Sequence, residues 1–178
     1  MKSLTLIRAA AAVTLAASAA SALAQSYPSK QVTFVNPFPA GGPSDMMARS
    51  VGDVLQKKFK QPFVVENKPG AAGNIGAAQV ARSAPDGYTV LIGIDTIHTV
   101  NPHIYKGLQF KAADFKPLMV LASSGLMVGV YPGTGFKTMT DLVNAGKAKG
   151  VNFSSAGSGS PGHLAIEVFH EATGMKIT

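Results

Sequence analysis

Between positions 31 and 94, three short β-branched or apolar runs alternate with glycine-rich turns and stretches of helical period, an order that leaves few folds open. Residues 31–37 (QVTFVNP) predict a strand. The run breaks into residues 38–45 (FPAGGPSD), after which Met47, Val51, Val54, Leu55 and Phe59 recur at helical spacing. Residues 62–67 (PFVVEN) predict a second strand, followed by KPGAAGN and a helix over about 75–82. Residues 84–87 (APDG) form a turn by composition. Residues 88–94 (YTVLIGI) are a continuous apolar run of the kind that parallel strands show when both faces are covered. Strand, helix, strand, helix, strand at this spacing predicts a βαβαβ unit: an α/β fold with right-handed crossovers and a mostly parallel sheet.

Beyond it the pattern loosens. Asn101-Pro102 sits in a loop with a short helix, and residues 117–131 read as extended chain interrupted by Ser123-Ser124-Gly125, a strand passing from one lobe to another. A helix over 139–149, a strand over 151–154, a Gly/Ser loop over 155–162 and a helix over 161–173 closed by Gly174 follow. Residues 176–178 (KIT) read as the start of a further strand. The expected division is therefore a leader over 1–24, a first lobe over 25–124 and the beginning of a second lobe over 125–178.

The leader is read from its order of parts. Lys2 and Arg8 supply a positive segment, residues 9–20 an apolar one, and Ala22-Leu23-Ala24 a small-residue cleavage triplet before Gln25. Cleavage after Ala24 and export to the periplasm are expected, and no cysteine offers a lipid attachment point. The remaining chain keeps 14 basic against 9 acidic residues, a net charge of +5. Its lysines are scattered and its aromatics sparse, which argues against a nucleic-acid groove. Without cysteine, a disulfide framework and a thiolate zinc site are both excluded.

Candidate chemistry concentrates in three loops, each following a strand, rich in glycine and opening a helix. Helix starts expose free backbone amides and a partial positive charge, so these loops suit an anion. Ser44 or Asp45 is the expected cap of the first helix, with Asp45 alternatively facing a cleft to hold a water or a ligand amine. Gly157, Gly159 and Gly162 fit G-x-G-x-x-G, but the acidic residue a dinucleotide site needs about 20 positions on falls past Thr178, and Pro161 removes an amide. No cofactor is expected. Ser158-Gly159-Ser160 is not a nucleophile elbow. His163 and Glu167, four apart, suit helix pairing better than a metal, so no metal site and no catalytic residue are assigned.

Several segments in one order carry a family likeness: residues 37–45 (PFPAGGPSD) with Ala48-Arg49, residues 65–76 (VENKPGAAGNIG), residues 84–89 (APDGYT), Asn101-Pro102, and Ser155-Ala156-Gly157 with Gly159 and His163-Leu164. From residue 27 to 178 the chain resembles the Bug-type extracytoplasmic solute receptors of tripartite tricarboxylate transporter systems. The resemblance implies a two-lobed, Venus-flytrap periplasmic binding protein, here C-terminally truncated so that the second lobe is incomplete. It implies a monomer that captures a small carboxylate (a di- or tricarboxylate, an amino acid or an aromatic acid) and hands it to membrane permease subunits. Carried over, the ligand-binding residues are Phe38, Ala40, Gly41, Gly42 and Asp45 in the first loop and Ala71, Ala72 and Gly73 in the second. Thr96 and His98 follow the third strand, and Ser155, Ala156, Gly157, Ser158, Gly159, Ser160 and His163 face them from the second lobe. Two other readings remain beside it. One is an exported α/β hydrolase using Ser158 or Ser160 with His163 or His98; the other is a carboxylate-sensing partner of a receptor kinase.

Overall fold

The computed structural model describes residues 27–178; the expected leader and its cleavage point lie outside the described residues. Three strands, β1 (Val32–Asn36), β2 (Phe63–Asn67) and β3 (Thr89–Leu91), form a parallel sheet in the order β2-β1-β3. Central β1 aligns Val32 with Phe63 and Asn36 with Asn67 on one side, and Val35 with Leu91 on the other. Being central, β1 buries Val32, Phe34 and Val35, as its β-branched and aromatic composition requires. The expected βαβαβ unit is present. Its third strand is shorter than the apolar run, because after Ile92, whose amide donates to Val35 O at 2.9 Å, the chain turns into a helix.

Helix α1 (Pro43–Phe59) packs Ala48 and Gly52 inward, with Phe34 against Phe63 beneath it at 5.5 Å between ring centroids. Helix α2 (Asn74–Ala81) brings Ala77 and Ala78 into a cluster with Ile97 and Phe110, onto which Phe38, Leu91, Leu108 and Phe115 pack. Two short helices, α3 (Thr96–Thr99) and α4 (Asn101–Ile104), follow β3.

Residues 117–131 correct the expectation of a lobe-crossing strand. They run without a ladder, and Met127 is 97% exposed. Their β-favouring side chains have no strand to pair with among the described residues, and propensity alone does not make a strand. Helix α5 (Met139–Lys149) is opened by a capping box, Thr138 Oγ1 accepting from the Asp141 amide at 3.1 Å and Asp141 Oδ2 from the Thr138 amide at 2.9 Å. Helix α6 (Pro161–Thr173) is flanked by Val151 and Ile177, which form a single parallel bridge where a strand over 151–154 was expected. Backbone bonds from Val151 N to Lys176 O and from Phe153 N to Thr178 O extend it slightly. No helix among the described residues is long and apolar enough to cross a membrane.

Candidate functional site

In an open parallel sheet the ligand crevice lies beyond the carboxyl ends of the strands, where the order reverses. Here that point is the end of β1, since β2 and β3 lie on opposite sides of it. The loop leaving β1 is built around Asp45, which is 3% exposed. Its carboxylate accepts four hydrogen bonds: Gly41 N at 2.8 Å, Arg49 Nε at 3.0 Å, Arg49 Nη2 at 3.0 Å and Asn67 Nδ2 at 2.9 Å. The Arg49 guanidinium above all, then the Gly41 amide and Asn67, hold the Asp45 carboxyl down to about 2. Asn36 Nδ2 and Asn67 Nδ2 both donate to Phe38 O, at 3.1 and 3.3 Å, fastening the other end of the loop.

This revises the expected cap. The N-cap of α1 is Gly42 with Pro43 at the first helical position, and neither Ser44 nor Asp45 caps it. Asp45 reaches one residue further back, to Gly41, and its acceptor positions are filled by that loop amide, by Arg49 of α1 and by Asn67 at the end of β2. Gly41 in turn gives its amide to Asp45. The amides of Ala40, Gly42, Ser44 and Asp45 have no partner among the described residues.

The second loop is a left-handed turn. Gly70, Ala71, Ala72 and Gly73 have φ of 133°, 47°, 52° and 89°, and Gly73 N closes the turn on Gly70 O at 3.0 Å. Glycine adopts this conformation freely, whereas each alanine in it costs about 1–2 kcal/mol. Strain of this kind persists only where the surroundings impose it, and it collects at ligand sites. The amides of Ala71 and Ala72 are free of internal partners among the described residues. Behind the turn lies Asn101, fully buried, whose Nδ2 donates to Ala72 O at 3.0 Å and to Asn74 Oδ1 at 2.7 Å.

The loops converge. A Cβ on Gly73 would lie 3.1 Å from Ile97 Cδ1 and 3.3 Å from Phe38 Cζ, so the second loop touches both the first loop and α3. Thr96 is buried at the start of α3, and His98 lies edge-on to Phe115 at 5.1 Å. The Gly/Ser loop before α6 joins them through Tyr105, whose hydroxyl donates to Ser158 O at 2.9 Å. A Cβ on Gly159 would sit 3.6 Å from Asn101 Oδ1. Ser160 caps α6, its Oγ accepting from His163 N at 3.2 Å, and His163 Nδ1 accepts from Gly159 N at 3.4 Å. Ser155 Oγ accepts from Gly157 N at 3.3 Å, while the amides of Ala156, Ser158 and Gly162 have no partner among the described residues.

No serine hydroxyl meets an imidazole among these contacts: Ser160 is occupied as a cap, Ser158 engages through its carbonyl, and His98 rests on an aromatic ring. His163 Nε2 lies 3.8 Å from Glu167 Oε1, the helix pairing its spacing suggests. Sequence reasoning gave no site role to the layer that holds the loops: Asn36, Asn67, Arg49, Asn74 and Asn101. The signal available was a set of asparagines placed at strand ends and helix starts, where they bond backbone groups.

A parallel α/β sheet whose carboxyl-edge loops carry amides unpartnered among the described residues, followed by a small helical unit with a single parallel bridge, fits part of a periplasmic binding protein's flytrap fold. The chain belongs to the tripartite tricarboxylate transporter family receptors (TctC), whose pattern it matches over residues 47–178. It is 34% identical to a UPF0065 protein of Bordetella pertussis over a 182-residue alignment, covering 99% of this chain and 55% of that protein. The structure of R. palustris Rpa4515 with adipate superposes with a TM-score of 0.82 at 35% identity, over 86% of this chain and 52% of that one. MatC (Rpa3494) from Rhodopseudomonas palustris with bound malate gives a TM-score of 0.71 at 26% identity, over 85% and 53%. The chain spans about half the length of the curated relatives it matches.

Proposed function

We propose that this chain is an exported solute receptor, not an enzyme, that captures a small carboxylate and passes it to the permease of a tripartite tricarboxylate transporter. The ligand carboxylate sits against the free amides of Gly42, Ser44, Asp45, Ala71 and Ala72, with Thr96 and His98 beside it. Ser155 to Ser160 and His163 close over it from the second lobe. Asp45 and Arg49 shape the first loop and leave the ligand to the backbone. Residues 25–124 supply the first lobe and 125–178 open the second; export follows cleavage after Ala24, and the receptor is a monomer.

The observation that carries this reading is the set of amides without partners among the described residues, on three converging loops that each open a helix. Amides at helix starts favour anions, and the fold is shared with a relative described with adipate. The test is a thermal-shift and calorimetry panel of adipate, malate, citrate, glutamate and benzoate. At a ligand concentration of about 100 times Kd, binding adds about 2.7 kcal/mol. That raises Tm by about 5–10 °C for a chain of this size. No shift with any carboxylate, or turnover of a simple ester that depends on Ser158 or Ser160, would overturn the reading.

A further inference from the structure

We propose that Asn101 is the positioning residue of the second loop, holding Ala71 and Ala72 in the left-handed turn that keeps their amides free for an anion. The role rests on the carboxylate-receptor reading of these loops and deepens it.

Three observations carry it. Two consecutive alanines at positive φ, between two glycines also at positive φ, form a turn that alanine disfavours, so something outside the turn must hold it. Asn101 is that contact: its Nδ2 donates to Ala72 O at 3.0 Å and to Asn74 Oδ1 at 2.7 Å, gripping the turn and the first residue of α2 together. The same side chain is fully buried, and its Oδ1 has no hydrogen-bond partner among the described residues. A buried, unsatisfied acceptor is destabilising, so the carboxamide cannot be explained as core packing alone. Turning it over would bring its oxygen against Ala72 O and Asn74 Oδ1, two acceptors. Its donor end is therefore fixed on the turn. The idle oxygen lies by Gly159, which places Asn101 between the second loop and the Gly/Ser loop.

The test is a rescue. Asn101→Ala is expected to weaken adipate or malate binding at least tenfold and to speed amide exchange at Gly73, whose N–H closes the turn, at least tenfold. Exchange in the β1–β2 ladder should not change. Adding Ala71→Gly and Ala72→Gly lets the turn form without the grip, since glycine adopts positive φ without penalty. The triple variant should recover affinity to within about threefold of the parent and restore protection at Gly73. A residue that only filled space would gain nothing from those glycines. If Asn101→Ala does not fold, Asn101→Ser, whose hydroxyl is too short to reach Ala72 O, carries the same comparison. Unchanged Gly73 exchange on removing the carboxamide, or failure of the glycines to restore it, overturns the proposal. If the parent binds neither adipate nor malate, those two ligands are excluded and the exchange measurement alone decides the role of Asn101.

Discussion

Gly76 and Gly162 both lie inside helices, and replacing each by alanine should move stability in opposite directions. A Cβ on Gly76 would meet Pro37 Cβ at 2.8 Å, Pro37 Cα at 3.0 Å and Lys68 O at 3.1 Å. Pro37 is fully buried and its ring cannot swing aside, and the other obstacle is a backbone carbonyl. Overpacking against such neighbours costs about 3 kcal/mol, the upper end of its usual range. Alanine returns about 1 kcal/mol of helix propensity, so the net loss is about 2 kcal/mol. That lowers Tm by about 4–8 °C. At Gly162 the nearest atom is Ser155 Cβ at 3.7 Å, an ordinary contact, so only the propensity gain remains. It amounts to about 0.5 kcal/mol in a first turn. Urea unfolding followed by circular dichroism, with the slope m compared across variants, measures both. If Gly76→Ala proves as stable as Gly162→Ala, α2 is not seated on the end of β1 as described, and the placement of the second loop falls with it.

Three further outcomes are expected. Because the Asp45 carboxyl is lowered from 3.8 to about 2, its contribution is complete above about pH 4 and is lost as pH falls through about 2. Glu66, Asp86 and Asp141 are lowered too and act in the same direction. Tm should therefore drop across that acid range, and less steeply in Asp45→Asn; equal slopes would count against the Asp45 network. Gly42 has φ −75° and ψ 170°, open to any residue, and meets only Pro39 O at 3.4 Å, so Gly42→Val should fold. Its side chain should nevertheless cover the loop amides and weaken adipate at least tenfold, about 1.4 kcal/mol. Lys58→Ala, roughly 24 Å along α1 by helical rise, should leave affinity unchanged by calorimetry. If the lysine variant fails to bind while the valine variant binds normally, a side-chain cation holds the ligand. N-terminal sequencing of the protein from the periplasm should begin at Gln25; an intact Met1 in the cytoplasm would overturn the leader reading.

The strands and helices near the sheet were legible because their signals are local. β-branched runs gave β1 and β2, helical spacing gave α1, and a helix over 139–149 was expected where α5 lies, although its capping box of Thr138 and Asp141 went unread. The wiring of the loops was not legible. Asn67 reaches Asp45 only because the parallel register sets Asn67 beside Asn36, a relation between strands that no local window contains. Pro43 after Gly42 was a usable sign that the cap belonged to the glycine, and capping preferences for serine and aspartate outweighed it. Ala71 and Ala72 carry no mark of left-handed backbone, since alanine is disfavoured there by propensity. Asn101, read as part of a loop with a short helix, gave no hint that it would be buried. Residues 117–131 have the composition of a strand, but pairing is a property of two segments.

The ion pairs beside the first two loops have a kinetic consequence. Arg49 is matched by Asp45 at 3.0 Å and Lys68 by Glu66 at 2.6 Å, so each flanking cation already has its counter-charge. A cleft with an unmatched cation draws anions from a distance, and its capture rate collapses as salt rises. Loops whose attraction resides in amide dipoles act only at contact. Arrival is then governed by diffusion and orientation, and escape by how many amides the ligand must release. On the proposed amide site, a salt titration in stopped flow should find the association rate of adipate nearly flat.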